Sequence, residues 1–187
     1  MEDMNRDAAH RPLDQHGPAA AIAGHPDQAG GGGAWRPWAA TVARLLLAAV
    51  WAWAALAKIS GPDAAVRAVR AYELLPEALV RPVAWGLPFA ELALAVLLAA
   101  GLATRLAAVC SAVLLGSFMV AIGSAWARGL QIHCGCFGGG GPASGVDARD
   151  YLVELVRDAG LLAVAVLLAW RPRSRLALDH RLGLEDP

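Results

Sequence analysis

Four long apolar runs constrain the fold of this chain more than any other feature of its sequence. Each run is about twenty residues long, which is enough for an α-helix to cross a hydrocarbon core of ~30 Å. In lipid, backbone groups must find their hydrogen bonds within the protein, so only helices and closed barrels can cross. The sequence therefore predicts an all-α membrane protein, a four-transmembrane-helix bundle. The predicted spans cover residues 38–58, 83–103, 106–127 and 150–170.

Composition supports a membrane protein over a soluble one. Hydrophobic residues make up 57% of the chain and charged residues 17%, whereas soluble proteins average about 45–50% and ~25%. The formal net charge is zero, and no basic cluster is interleaved with aromatic residues, which argues against nucleic-acid binding. Three cysteines are too few for a disulfide-rich scaffold.

Polar segments flank the four apolar runs. Residues 1–34 contain Pro, Asp, His and a glycine run and lack an apolar signal-peptide core, so they are predicted to form a disordered tail. Residues 173–187 are predicted to be a second polar tail. The membrane domain is therefore expected at residues 35–172.

The segment between the first two predicted spans has a periodic pattern of apolar residues. From Ala64 to Val80, apolar residues recur every three to five positions among charged ones, which predicts a short amphipathic interfacial helix. Pro76 is expected to kink or end this helix. A structured polar loop is the alternative interpretation.

Four spans would place both termini on the same side of the plasma membrane. Arginines are densest just after the fourth span, at Arg171, Arg173 and Arg175. Because basic residues favour the cytoplasmic side, the termini are predicted to be cytoplasmic. The loop at residues 128–149 is then extracytoplasmic, where disulfides persist.

That loop contains two cysteines, Cys134 and Cys136, in a C-x-C pattern after His133. Thiols one residue apart can close only a small, strained disulfide, and strained, exposed disulfides tend to be catalytic or regulatory. The spacing therefore predicts a redox-active dithiol, in which a protonated His133 would stabilise a thiolate. Two alternatives stay open: a Zn or Cu(I) site formed by His133, Cys134 and Cys136, and a structural disulfide or two idle thiols.

Glu91 lies near the middle of the second span, where an ionised carboxylate needs a partner inside the bundle. Arg44 and Arg157 are candidate partners, Lys58 is a further one, and Asp158 could join the same network. An ion pair that locks helices together is the favoured interpretation. A proton or quinone-ring partner is the functional alternative.

Cys110 lies within the third predicted span. A free cysteine in such a place usually behaves as a small buried hydrophobe, and that is the expectation here. The alternative is a resolving or electron-passing partner of the loop cysteines.

Several short patterns, taken together, resemble the methylamine-utilisation protein MauE family, part of the broader DoxX-like group of four-helix membrane proteins. The resemblance covers about residues 38–172. The patterns are Tyr-Glu-Leu-Leu-Pro at 72–76, Leu-Pro-Phe-Ala-Glu-Leu at 87–92, Gly-Leu-Ala-Thr-Arg at 101–105, Cys-Gly-Cys-Phe-Gly at 134–138, Ala-Lys-Ile at 57–59 and Arg-Asp at 157–158.

This resemblance implies a membrane protein linked to redox chemistry. Members of the family near methylamine genes are associated with a periplasmic thioredoxin-like partner and with disulfide-rich methylamine dehydrogenase. By position, Cys134 and Cys136 would be the redox pair, and Lys58, Glu91 and Arg157 the intramembrane polar set.

The leading interpretation is a component of thiol–disulfide exchange, and whether it is itself an oxidoreductase is left open. It would exchange disulfides with an extracytoplasmic thioredoxin-like partner and pass electrons to or from the membrane, with a membrane quinone as the candidate cofactor. The rivals are a non-enzymatic scaffold or assembly factor with a structural C-x-C disulfide, and a protein that handles Cu or Zn.

Overall fold

A computed structural model describes residues 36–136 and 140–170. The two predicted tails, the arginines after the fourth predicted span, and Phe137 and Gly138 lie outside the described residues. The described part contains five helices and one short antiparallel hairpin. The elements are α1 (Arg36–Ile59), α2 (Pro62–Ala71), α3 (Glu77–Ala100), α4 (Thr104–Ala127), β1 (Ile132–His133), β2 (Gly141–Pro142) and α5 (Ala148–Trp170).

Three of these helices, α1, α3 and α4, are long and apolar enough to cross a membrane. Their outer faces carry large exposed hydrophobic side chains, such as Trp53, Phe89 and Val120. Exposed apolar surface of this extent favours a lipid environment. The prediction of a mostly helical membrane protein is therefore confirmed. The fourth span stays a prediction, because α5 carries several charged residues in its first half.

The connection between the first two spans differs from the prediction. Helix α2 ends at Ala71, because the chain turns at Glu73, whose φ of 52° lies in the left-handed region. Helix α3 then begins at Glu77, directly after Pro76, so it includes the end of the predicted amphipathic helix. It also continues through Pro82, where the sequence had suggested a boundary before the span at residue 83. Membrane helices tolerate an internal proline because local adjustments satisfy the freed backbone group.

Helix packing forms two pairs, α1 with α3 and α4 with α5, around a common apolar core. Many of the core positions are alanine, which lets membrane helices approach closely. Helix α2 packs against α3 and against β2. The short hairpin is thereby placed over one end of the bundle, beside α2.

Cys110 is exposed on the outer surface of α4, so the expectation that it is buried was wrong. Helix α4 is apolar around its whole circumference. Periodicity therefore could not indicate which of its faces points into the bundle.

Candidate functional site

Two cysteines lie at the tip of the short hairpin that connects α4 to α5. In this hairpin Ile132 pairs with Pro142, and His133 pairs with Gly141. We call the described residues 132–136 and 140–142 the cysteine hairpin. The two thiols follow directly after β1, at a sharp turn of the backbone.

Glycine allows this turn to pack closely against α2. Gly135 has a φ of 69°, and a Cβ added to it would lie 2.7 Å from the Cβ of Ala68 and 3.0 Å from the Cα of Gly140. Both the backbone conformation and the space therefore require glycine at position 135. The two glycines let the cysteine hairpin lie directly on Ala68 of α2.

Side chains from three helices hold the backbone of the hairpin. Tyr72, at the end of α2, donates from its hydroxyl to the carbonyl of Cys134 at 3.1 Å. Lys58, at the end of α1, donates from Nζ to the carbonyl of Cys136 at 2.7 Å. Tyr151, in the first turn of α5, accepts from the backbone N–H of Ile132 at 3.2 Å and donates to the carbonyl of Leu130. The positions of the thiols are thus fixed by the surrounding bundle.

The two thiols contact each other directly. Both cysteines are in the free form, and their Sγ atoms are 2.8 Å apart. The backbone N–H of Cys136 also donates to Sγ of Cys134 at 3.4 Å. Cys134 is 8% exposed, and Cys136 is partly buried. This arrangement places the two sulfurs where a disulfide between them can form.

Their surroundings shift the two thiol pKa values in opposite directions. The hydrogen bond from the Cys136 thiol lowers the pKa of Cys134, and Arg157, whose Nη2 lies 3.8 Å from Sγ, lowers it further. Burial and the nearby Glu154 carboxylate oppose this change. The same thiol–thiol hydrogen bond, followed by burial, raises the pKa of Cys136. Cys134 is therefore the thiol that ionises first, and Cys136 stays protonated as its hydrogen-bond donor.

Below the hairpin, Lys58 and Glu91 form a buried ion pair. The Lys58 Nζ is 2.8 Å from Oε1 and 3.0 Å from Oε2 of Glu91. The lysine side chain is 7% exposed and the glutamate side chain 0%. Of the partners that the sequence offered for Glu91, the structure pairs it with Lys58. Because the same ammonium group also holds the carbonyl of Cys136, the pair joins α1, α3 and the cysteine hairpin.

The two arginines of the predicted polar set lie in different places. Arg44 donates from Nη1 to the carbonyls of Leu98 at 2.5 Å and Ala99 at 3.3 Å, at the C-terminal end of α3. A cation is favourable there because the C-terminal end of a helix carries a partial negative charge, although the Leu98 carbonyl also accepts from the N–H of Gly101 at 3.2 Å. Arg157 instead contacts both Cys134 and Asp158. The structure therefore brings Lys58, Glu91 and Arg157 to the cysteine hairpin, and Arg44 acts elsewhere.

His133 lies on the exposed side of β1, whereas its neighbour Ile132 is buried. The groups that lower the pKa of Cys134 belong to Cys136 and Arg157. A role for His133 as a modulator of the thiolate stays a prediction.

Sequence reasoning did not single out the two tyrosines that hold the hairpin. Tyr72 lies in the Tyr-Glu-Leu-Leu-Pro pattern at 72–76, so the family resemblance contained a signal for it. Tyr151 lies in the first turn of α5, and no pattern in the sequence marks it. Both residues act on backbone groups of the hairpin, and such contacts leave no characteristic spacing in the sequence.

Metal binding was the alternative role considered for His133, Cys134 and Cys136. Within residues 36–136 and 140–170, no group of three His, Cys, Asp or Glu side chains is arranged to hold a metal ion. The described geometry therefore gives the metal hypothesis no support.

Comparisons with known proteins identify similar chains. The family model described as "Methylamine utilisation protein MauE" matches residues 36–171. The methylamine utilization protein MauE of Paracoccus versutus is 40% identical over 124 residues, which is 66% of this chain and 64% of that protein. The MauE of Methylorubrum extorquens is 36% identical over 135 residues, which is 72% of this chain and 70% of that protein. The chain thus spans less than two thirds of the Paracoccus protein. No solved structure matches the chain.

Proposed function

The chain belongs to the MauE family, and from this premise we propose that it is a membrane component of thiol–disulfide exchange. One observation carries the proposal. The Cys134 and Cys136 sulfurs are 2.8 Å apart, and their pKa values are shifted in opposite directions. Exchange needs a thiolate to attack and a second thiol to resolve the mixed disulfide, and this pair supplies both.

In the proposed reaction, the Cys134 thiolate attacks one sulfur of a partner's disulfide. The partner's other sulfur leaves as a thiolate, and a mixed disulfide remains. Cys136 then attacks Sγ of Cys134, which releases the partner's second sulfur and closes the intramolecular disulfide. This chain loses two electrons and the partner gains two. The same steps in reverse would oxidise a reduced partner.

The partner we propose is an extracytoplasmic thioredoxin-like protein. The two thiols lie in a hairpin outside the three apolar helices, and Cys136 is only partly buried, so we place the contact with a soluble dithiol protein at this hairpin. The names of the relatives connect them to methylamine utilisation. We therefore propose the maturation of a disulfide-containing protein of methylamine metabolism as the setting of the exchange.

An extracytoplasmic partner requires the cysteine hairpin to lie outside the membrane, and we therefore propose that α5 crosses the membrane as a fourth span. Its charged residues do not contradict this proposal, because Asp158 is 2% exposed and pairs with Arg157, and Glu154 is partly buried. Ionisable groups in membrane helices characteristically face the bundle interior and pair there. Four spans put both termini on one side of the plasma membrane and the cysteine hairpin on the other, and the arginines after α5 favour the cytoplasm for the termini.

A trapping experiment tests the exchange. In a Cys110→Ser background, Cys136→Ser removes the resolving thiol, so a mixed disulfide between Cys134 and the partner should accumulate in cells. The matched variant Cys134→Ser lacks the attacking thiol and should trap nothing. Adducts are detected on non-reducing gels and identified by mass spectrometry.

A chain whose Cys134–Cys136 disulfide is fully formed and unreactive, with no adduct from either variant, would contradict exchange. That result would favour the scaffold hypothesis, in which the disulfide is only structural.

A further inference from the structure

A small cavity lies beneath Cys136, between α1, α4 and α5. Its volume is about 20 Å³, and a cavity needs roughly 10–15 Å³ measured in this way to hold a water molecule. Its polar lining residues are Cys136 and Asp158. The others are apolar or aromatic: Leu47, Val50, Trp51, Ala54, Leu115, Phe118 and Leu161.

Only one of the two carboxylate oxygens of Asp158 makes a hydrogen bond to a described residue. Its Oδ1 is 2.9 Å from Nη2 of Arg157. Its Oδ2 is buried and has no hydrogen-bond partner among the residues that the structure describes. A buried carboxylate oxygen without a partner is costly. The cavity has room for one water molecule, and Asp158 and Cys136 are the polar residues on its lining.

We propose that Asp158 is the proton acceptor for Cys136 during closure of the disulfide, acting through one water in this cavity. This role rests on the exchange proposed above. The S–H bond of Cys136 breaks, and its proton passes through the water to Oδ2 of Asp158. The Cys136–Cys134 bond then forms as the bond between Cys134 and the partner breaks. The departing partner thiolate takes up a proton from solvent, and Asp158 later releases its proton to solvent.

The chemistry of Cys136 requires such an acceptor. In the mixed disulfide Cys134 carries no thiolate, so the cause that remains is burial, which raises the pKa of Cys136. At neutral pH the buried thiol would rarely ionise without a base.

The other ionisable groups near the thiols are already engaged. Lys58 and Glu91 pair with each other, Arg157 holds only Oδ1 of Asp158, and Glu154 is hydrogen-bonded to Cys134. Tyr72 donates its proton to the carbonyl of Cys134. Asp158 is thus the carboxylate that shares a cavity with Cys136.

Reaction of the purified, reduced full chain with Ellman's reagent tests this role in a Cys110→Ser background. Attack by Cys134 releases a first coloured thiolate, and closure by Cys136 releases a second, so the two steps appear as separate phases. Asp158→Asn should slow the second phase about 100-fold, within the range typical of a lost general base, and leave the first phase unchanged. The second phase of this variant should then rise steadily with hydroxide concentration. Asp150→Asn, which removes an exposed carboxylate from the same helix, should change neither phase.

Two results would overturn the assignment. An unchanged second phase in Asp158→Asn would show that Asp158 takes no proton. Equal slowing of both phases would show that Asp158 only positions Arg157 beside Cys134.

The chain that keeps Asp158, in the same Cys110→Ser background, gives an independent measurement if Asp158→Asn does not fold. The rate of its second phase should stop rising with pH once a carboxylate is ionised. A rate that keeps rising through the pH range in which thiols ordinarily ionise would contradict the role of Asp158. Release of no second thiolate at all would instead refute the exchange itself.

Discussion

At the residue scale, neighbouring groups give Cys134 and Cys136 different chemistry. The hydrogen bond between them stabilises a thiolate on Cys134 and keeps Cys136 protonated. Arg157 adds a positive charge on the side of Cys134. The order of attack proposed above follows from this difference.

This difference predicts how alkylation of Cys134 depends on pH. Because the Cys136 thiol is the largest cause that lowers the pKa of Cys134, Cys136→Ala should raise that pKa, and the rate of reaction with iodoacetamide should reach its midpoint at a higher pH. Arg157→Gln should raise the pKa of Cys134 by less, since Arg157 lowers this pKa less than the Cys136 thiol does. The rates are measured against pH in a Cys110→Ser background. An unchanged midpoint in Cys136→Ala would show that the thiol–thiol hydrogen bond does not stabilise the thiolate.

Gly135 supports a second prediction at this scale. Gly135→Ala should destabilise the hairpin and suppress disulfide closure, because the residue has a φ of 69° and its new Cβ would collide with Ala68. Gly129→Ala is a matched control, because Gly129 has a φ of 67° and open space around it. The control should cost only the backbone strain, about 1–2 kcal/mol. Both variants are compared by thermal unfolding and by the second phase of the Ellman's reaction. Equal effects in the two would mean that contact with α2 does not matter.

At the scale of elements, the Lys58–Glu91 pair joins α1 to α3 directly below the cysteine hairpin. Removing one member leaves a buried charge, which costs about 3–5 kcal/mol. Removing both side chains leaves neither a buried ammonium nor a buried carboxylate at this place in the bundle. The pair is therefore expected to behave as a unit and not as two independent residues.

A double-mutant cycle checks this expectation. Lys58→Met and Glu91→Leu should each lower stability strongly, and the double variant should lose much less than the sum of the two. Stability is measured by denaturation in detergent micelles. Additive losses would show that the two side chains do not depend on each other in the folded protein.

Part of this level of structure could be predicted from the sequence. Hydropathy identified α1, α3 and α4, because each is a long apolar run. It could not place the start of α3, because Pro82 reads as a helix breaker and only the surrounding structure shows that the helix continues through it. It could not choose the partner of Glu91 either, because the position of Lys58 relative to Glu91 depends on how α1 and α3 pack.

At the scale of the whole molecule, the number of spans determines where the cysteine hairpin and the C-terminus lie. If α5 crosses the membrane, the hairpin and the C-terminus are on opposite sides. If α5 stays on the surface, they are on the same side. The location of one relative to the other therefore distinguishes the two topologies.

Labelling in intact cells tests the four-span topology. A membrane-impermeant maleimide should label Cys134 or Cys136 after mild reduction, in a Cys110→Ser background. A C-terminal reporter that is active only in the cytoplasm should be active in the same cells. An inactive reporter together with external labelling would contradict a fourth span at α5.

The candidate site was predicted only in part. The C-x-C pattern and the family resemblance identified Cys134 and Cys136, and the location of Glu91 in an apolar run indicated an ion pair. The cavity below Cys136 and the position of Asp158 beside it could not be predicted. They depend on the approach of three helices, and no spacing in the sequence records that approach.

The two cations of α1 have a consequence for how the protein is made. Arg44 and Lys58 both lie on α1, and each donates to a group of α3. A cation at the centre of a lone membrane helix costs on the order of 2.5–3.5 kcal/mol during insertion by the translocon. Arg44 lies about two turns inside α1, whereas Lys58 is in the last turn and can reach the interface. Helix α1 precedes α3 in the chain and would carry both cations before the acceptor groups of α3 are present. Stable integration of α1 is therefore expected to wait for α3, so that the two helices enter the bilayer as one hairpin.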